Sequence, residues 1–214
     1  MDIATAFPPL ALRIQAGPLT LRPITDEVLM VLIEVAAAGV HDPARMPFYY
    51  PWTDAPADQL PTEFAQYHWG TRARWSQSAW SLEFAVEYDG AIVGTQGFAT
   101  QDFVTTRTGE TGSWLGRPYH GRGIGTRMRQ AICAFAFDHL GAEEITSGAF
   151  TDNPASLAVS RKVGYRANGR KRLVSRGELA VDQGLVLTPE HFVRGDAIAV
   201  TGVDAFREFI GLTP

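Results

Sequence analysis

Cysteine is almost missing from this sequence: Cys133 is the single one in 214 residues. That excludes an intramolecular disulfide and any metal cage built on cysteine. Histidine is sparse as well, five in all. No two lie at i and i+4 on one predicted helix, so no metal site is expected. No stretch of about 18 apolar residues occurs, and no helical membrane span is expected. Met1-Asp2 with Pro8 and Pro9 close behind does not read as a signal peptide, so a cytoplasmic protein is expected. An excess of positive charge is absent too. The formal net charge of −4 is the wrong sign for a default nucleic-acid or anionic-membrane binder.

What is present is an ordinary globular composition, 45% hydrophobic and 20% charged, which excludes a wholly disordered chain. At roughly 150 residues per domain, the length fits one domain able to bury a core without staples. The charge is uneven. Residues 117–176 hold eleven Arg and Lys against four Asp and Glu, a net of +7, and the rest of the chain carries −11. A phosphorylated ligand suits the first part, and a cationic acceptor is tolerated by the second.

The pattern mixes strands and helices. Leu19–Pro23 reads as a short strand. Thr25 or Asp26 caps an apolar run from Val28 to Ala38 that stops at Gly39. An aromatic and proline-rich loop, His41 to Pro61, carries Phe48, Tyr49, Tyr50 and Trp52; loops this long are often functional. A helix is predicted from Thr62 to about Gln77. Leu82–Tyr88 alternates, and Asp89-Gly90 before Ile92 marks a tight hairpin. Further strands are predicted over 109–115, 144–149, 168–174 and 181–187, with helices over 125–140 and from Asn153 to just before Gly164. One tight hairpin among mixed elements favours an α+β or mixed-sheet domain over a purely parallel one. The domain expected is single, residues 1–214, with a core over about 19–187 and a C-terminal extension over about 188–214.

The strongest local signal is Trp114-Leu-Gly-Arg-Pro-Tyr-His-Gly-Arg-Gly-Ile-Gly-Thr126. A predicted strand runs into alternating glycines and then into a helix. Glycine lets backbone N–H groups approach a ligand, and the helix N-terminus favours an anion, so a phosphate or diphosphate is the natural guest. The dinucleotide pattern G-x-G-x-x-G fails at Thr126. The P-loop pattern fails because Arg122 and Gly123 stand where Lys and Ser or Thr are needed. The pattern [QR]-x-x-G-x-[GA] fits as His120-Gly121-Arg122-Gly123-Ile124-Gly125, with His in the first place.

In these residues the chain resembles the GNAT superfamily of acyl-CoA-dependent N-acyltransferases, in its RimJ/RimL-like branch. A second block supports the resemblance: Asn153-Pro-Ala-Ser156-Leu-Ala-Val-Ser160-Arg-Lys-Val-Gly164-Tyr165, one strand further on. The aromatic loop is similar to that of mycobacterial and other actinobacterial members. The fold implied is three-layered, α+β, with a twisted, mostly antiparallel mixed sheet of about seven strands. Helices flank the sheet, which is splayed at its central strands. The reaction implied is direct attack of an amine on an acyl-CoA thioester. Acetyl-CoA is the default donor and succinyl-CoA is left open, with no metal. The acceptor implied is a small-molecule or protein amine, and a homodimer is possible. The alternative is a CoA-binding sensor or scaffold without chemistry, suggested by His120 and by Ser160 where many relatives carry tyrosine.

The resemblance also implies roles. The turn from Gly121 to Thr126, including Gly123, Ile124 and Gly125, would hold the diphosphate with backbone N–H groups, and Arg117, His120 and Arg122 would add side chains. Trp114 and Leu115 would pair with the pantetheine arm, while Asn153 and Ser156 would contact CoA. Ser160 would stabilise the leaving thiolate. Glu110 would take the amine proton through water, with Glu83 and Glu87 as weaker candidates. Phe48, Tyr49, Tyr50 and Trp52 would wall the acceptor pocket, or pack as a satellite core. Cys133 and Tyr165 read as packing residues.

Overall fold

A computed structural model describes residues 1–212. In chain order its elements are α1 (Ile3–Ala6), β1 (Arg13–Ala16), β2 (Leu19–Pro23), α2 (Asp26–Ala37), α3 (Leu60–Ala73), β3 (Ala79–Tyr88), β4 (Ala91–Gln101), α4 (Phe103–Thr106), β5 (Thr108–Leu115), α5 (Ile124–Leu140), β6 (Glu144–Phe150), α6 (Pro154–Val163), β7 (Arg166–Ser175), β8 (Glu178–Leu187), β9 (Ile198–Thr201) and α7 (Val203–Phe209). The strands form one sheet ordered β7-β8-β6-β5-β4-β3-β2-β1-β9. The β5–β6 pairing is parallel; the other pairings are antiparallel. The architecture is the mixed α+β sheet that was expected, with nine strands where about seven were predicted.

Local chemistry explains the best-defined elements. Asp89 and Gly90 both take positive φ, 50° and 80°, as a two-residue hairpin turn matched to strand twist requires. The Thr25 hydroxyl accepts from the Val28 N–H and caps α2, and Asn153 does the same for α6 through the Ser156 N–H. The predicted second helix begins earlier, at Leu60, because Pro61 fits a first helical turn, where its missing N–H costs nothing.

Opposite faces of the sheet bury different clusters. Strand residues Leu82, Phe84, Val86 and Phe98 pack with α5 residues Ile124, Met128, Ile132 and Phe135. The other face carries α2 and α3, whose Leu29, Leu32 and Phe64 gather Trp52 and Trp114. Each fully buried large apolar side chain contributes about 1.5–3 kcal/mol, so these two clusters dominate the stabilisation. The segment after Leu187 adds β9, which pairs with β1. It also adds α7, whose Phe206 is fully buried against Trp80 and Phe135.

The sheet opens at its centre. β5 pairs with β4 as far as Leu115. Its pairing with β6 ends after three rungs, the last being Glu110 with Thr146. Beyond that rung the two strands diverge, leaving one edge of residues 111–115 without a partner strand. No helix among the described residues is long and apolar enough to cross a membrane.

Candidate active site

The glycine turn closes the open end of this splay. Gly121 and Gly123 adopt φ of +72° and +79°, in the left-handed region that L side chains avoid. A Cβ at either would meet nothing within 4 Å, so backbone conformation, not crowding, calls for glycine there. The His120 N–H donates to Arg117 O, and the Thr126 N–H donates to Gly123 O. Between them, the N–H groups of Gly121 through Gly125 make no backbone hydrogen bond among the described residues. They cluster at the N-terminus of the long helix α5 and form a ready anion cradle. Gly125 lies inside the helix, where a Cβ would touch Val159 at 3.4 Å.

The side chains around the turn divide. Arg117 is exposed. Arg122 lies over the faces of Tyr88 and Tyr119, at 5.8 and 5.9 Å. His120 Nε2 is hydrogen-bonded to Leu115 O at 2.9 Å; the ring ties the turn to the end of β5. Asn153 spends its Oδ1 on capping. Ser160, on α6, is 1% exposed and its hydroxyl has no hydrogen-bond partner among the described residues. A buried hydroxyl left orphaned in this way is uncommon.

Pairing register assigns each strand residue to a face. Trp114 packs with Trp52 and Phe64 on the α2–α3 side. Glu110 and Gly112, at even spacing from it, share that side, and Glu83 pairs with Gly97 there. Gly148 and Asp182 belong to the same face. A Cβ on Gly148 would stand 2.8 Å from the Tyr49 hydroxyl and 3.0 Å from Asp182 Oδ1. Glycine at 148 therefore lets the aromatic loop reach the sheet. Asp182 is 2% exposed, and its Oδ1 has no hydrogen-bond partner among the described residues. Burial, together with the Asp182 and Glu110 carboxylates, pushes the Tyr49 phenol above its ordinary value. Burial raises the Glu83 carboxyl to about 7, partly opposed by a hydrogen bond from the Ser81 hydroxyl. Glu83, Glu110 and Asp182 thus share one face of the sheet with Gly97, Gly112 and Gly148.

The aromatic loop splits between the two roles open to it. Phe48 and Trp52 join the α2–α3 core. Tyr49 leans on Phe150 with ring centroids 5.4 Å apart, and Tyr50 is exposed. His41 holds the loop together through Thr53 Oγ1, at 2.6 Å. Arg176, at the turn between β7 and β8, grips the loop through both Asp54 carboxylate oxygens and through Pro43 O.

Residues 18–166 match the family model of the acetyltransferase (GNAT) domain. The chain belongs to the GNAT acetyltransferase family. Over 91 residues it is 29% identical to YdaF of Bacillus subtilis (strain 168), a protein named as a ribosomal N-acetyltransferase; the match covers 42% of this chain, which thus spans about half (49%) of that relative. Its fold is similar to that of Mycobacterium smegmatis RimJ, solved with CoA-disulfide, with a TM-score of 0.72 at 22% identity over 86% of this chain and 88% of that one. It is also similar to RimL, a ribosomal L7/L12 alpha-N-protein acetyltransferase solved with coenzyme A, with a TM-score of 0.64 at 14% identity over 81% and 95%.

Within this GNAT domain the predicted residues of the turn, Trp114 and Leu115 gather along one edge of the splay, and Glu110 stands at its last rung. Two buried charges escaped the sequence reading. Asp182 lies in a predicted strand without motif character, and Arg129 lies on α5 among apolar residues. The apolar repeat Met128, Ala131, Ile132, Phe135 is centred about 100° around the helix from position 129 and gave no signal for it; Ile132, Cys133 and Ala136, which share its side of α5, are buried as well. Among the described residues no group of three His, Cys, Asp or Glu is placed to hold a metal ion.

Proposed function

We propose that this protein transfers an acetyl group from acetyl-CoA to a protein amine by direct attack on the thioester. The observation carrying this reading is the run of free N–H groups from Gly121 to Gly125, set at a helix N-terminus beside an unpaired strand edge. The turn suits the diphosphate, with Arg117 and Arg122 adding charge. The free edge of residues 111–115 offers N–H and C=O groups to the amides of a pantetheine arm. A backbone N–H near Trp114 or Leu115 then stabilises the tetrahedral oxyanion. Asn153 and Ser156 contact CoA from α6, and the Ser160 hydroxyl donates to the sulfur.

The acceptor enters on the acidic face, where Asp182 and Glu110 attract an ammonium. The amine must lose a proton before attack, because an alkyl ammonium holds it up to a pH of about 10.4. Glu110, at the splay apex, takes that proton through water. A protein amine is favoured by the names of YdaF and RimL.

Calorimetry with CoA, followed by release of free thiol from acetyl-CoA with ribosomal-protein N-terminal peptides, lysine peptides and polyamines, tests this reading. Binding together with peptide-dependent release is the expected result. Failure to bind CoA at high micromolar concentration sinks it. Binding without turnover on any amine would replace it with a non-catalytic CoA binder, and turnover with succinyl-CoA alone would change the donor.

A further inference from the structure

Arg129 is a buried cation without an anion. It is 5% exposed, yet it forms no ion pair among the described residues. Its guanidinium donates to Ser147 Oγ at 3.1 Å and to Ser113 Oγ at 3.0 Å, and lies over the Tyr165 ring at 5.9 Å. Its Nε–H has no partner among the described residues. Ser113 belongs to β5 and Ser147 to β6, both beyond the last rung that joins those strands. The guanidinium therefore spans the apex of the splay from the α5 side.

Burying a charge against neutral partners costs several kcal/mol, and an apolar side chain in the same place is often neutral or stabilising. The neighbouring α5 residues Met128, Ala131 and Ile132 are of that apolar kind. The other titratable groups facing the guanidinium are Tyr165, which is hydrogen-bonded to Thr111, and Cys133. Burial raises both, so neither supplies an anion. The two sides of the apex thus differ in sign: carboxylates Glu110 and Asp182 on one, Arg129 on the other.

That polarity matches the charges of acyl transfer. The nucleophile arrives as a cation, and the leaving group departs as an anion. We propose that Arg129 is a catalytic residue that donates to the CoA sulfur and holds it as the thiolate. The amine nitrogen bonds to the carbonyl carbon, its proton leaves toward Glu110, and the C–S electron pair passes to sulfur beside the guanidinium. This rests on the acyl-CoA reading above, and it adds a full positive charge where that reading had one serine hydroxyl.

A mere strut between Ser113 and Ser147 would leave the acidity of a bound thiol unchanged, so that acidity is the measurement. CoA bound to the full chain is titrated by its ultraviolet thiolate absorbance. The thiol is expected to ionise at least tenfold more readily than free CoA, about one pKa unit lower. Arg129→Gln should return it to the free value and lower kcat about a hundredfold, with CoA affinity changed only a few-fold. Arg129→Lys should keep part of the shift, and Ser160→Ala most of it. A wild-type bound thiol that titrates like free CoA overturns the proposal, and that result stands even if Arg129→Gln does not fold. An unchanged shift in folded Arg129→Gln overturns it equally. Absence of CoA binding to the wild type, seen by calorimetry, refutes the acyl-CoA reading itself.

Discussion

At the scale of single residues, the informative groups are those whose environment disagrees with their chemistry. Glu83 is a carboxyl raised on folding from 4.5 to about 7 by burial. Its neutral form suits the fold, so its contribution is fully present below the unfolded value and is lost as pH rises through about 7. Glu83→Gln should therefore stabilise the protein at pH 8 by up to ~3 kcal/mol and change little at pH 4. Urea unfolding at the two pH values checks this, and an equal gain at both would contradict the burial argument. Asp182 has a buried carboxylate oxygen without a hydrogen-bond partner among the described residues, on the sheet face it shares with Glu110. Asp182→Asn should raise KM for the amine by about tenfold or more, the worth of a hydrogen bond to a charged group, and leave CoA affinity alone. Steady-state kinetics and calorimetry separate the two, and a loss confined to CoA binding would move Asp182 out of the acceptor site.

At the scale of elements, α5 and the turn before it form one device. The turn needs left-handed backbone at Gly121 and Gly123, and it leaves its N–H groups free because they point away from the helix ladder. Gly123→Ala meets no steric neighbour, so its cost is conformational, ~1–2 kcal/mol. CoA affinity should fall about tenfold with little change in KM for the amine; an unchanged CoA dissociation constant would show that the turn is not the cradle. The same helix carries Arg129 less than two turns further on, so the glycine turn and the splay apex are fixed relative to each other. On the opposite face, the β7–β8 turn and the aromatic loop are joined through Arg176 and Asp54, so two segments far apart in sequence are held together there.

At the scale of the whole molecule, the tail after Leu187 belongs to the packing. β9 extends the sheet past β1, and Phe206 enters the main core. Phe206→Ala should cost ~3–5 kcal/mol, as for other fully buried aromatic side chains. Chemical denaturation measures it, and a loss under 1 kcal/mol would make the tail dispensable. The sequence alone determined what local chemistry decides: the Asp89-Gly90 hairpin, the Thr25 and Asn153 caps, the glycine turn ahead of a helix, and the basic stretch around it. Each is written within a few neighbouring residues, through φ preference, capping or charge. Only the tertiary structure decided which strands pair and where pairing stops. The missed strand β1 has four residues, too few for a periodic signal, and β9 earns its place only beside it. The two faces of the splay acquired opposite charge because register sends Glu110 and Asp182 to one side, and helix packing brings Arg129 to the other. Those residues lie tens of positions apart, and no local rule links them.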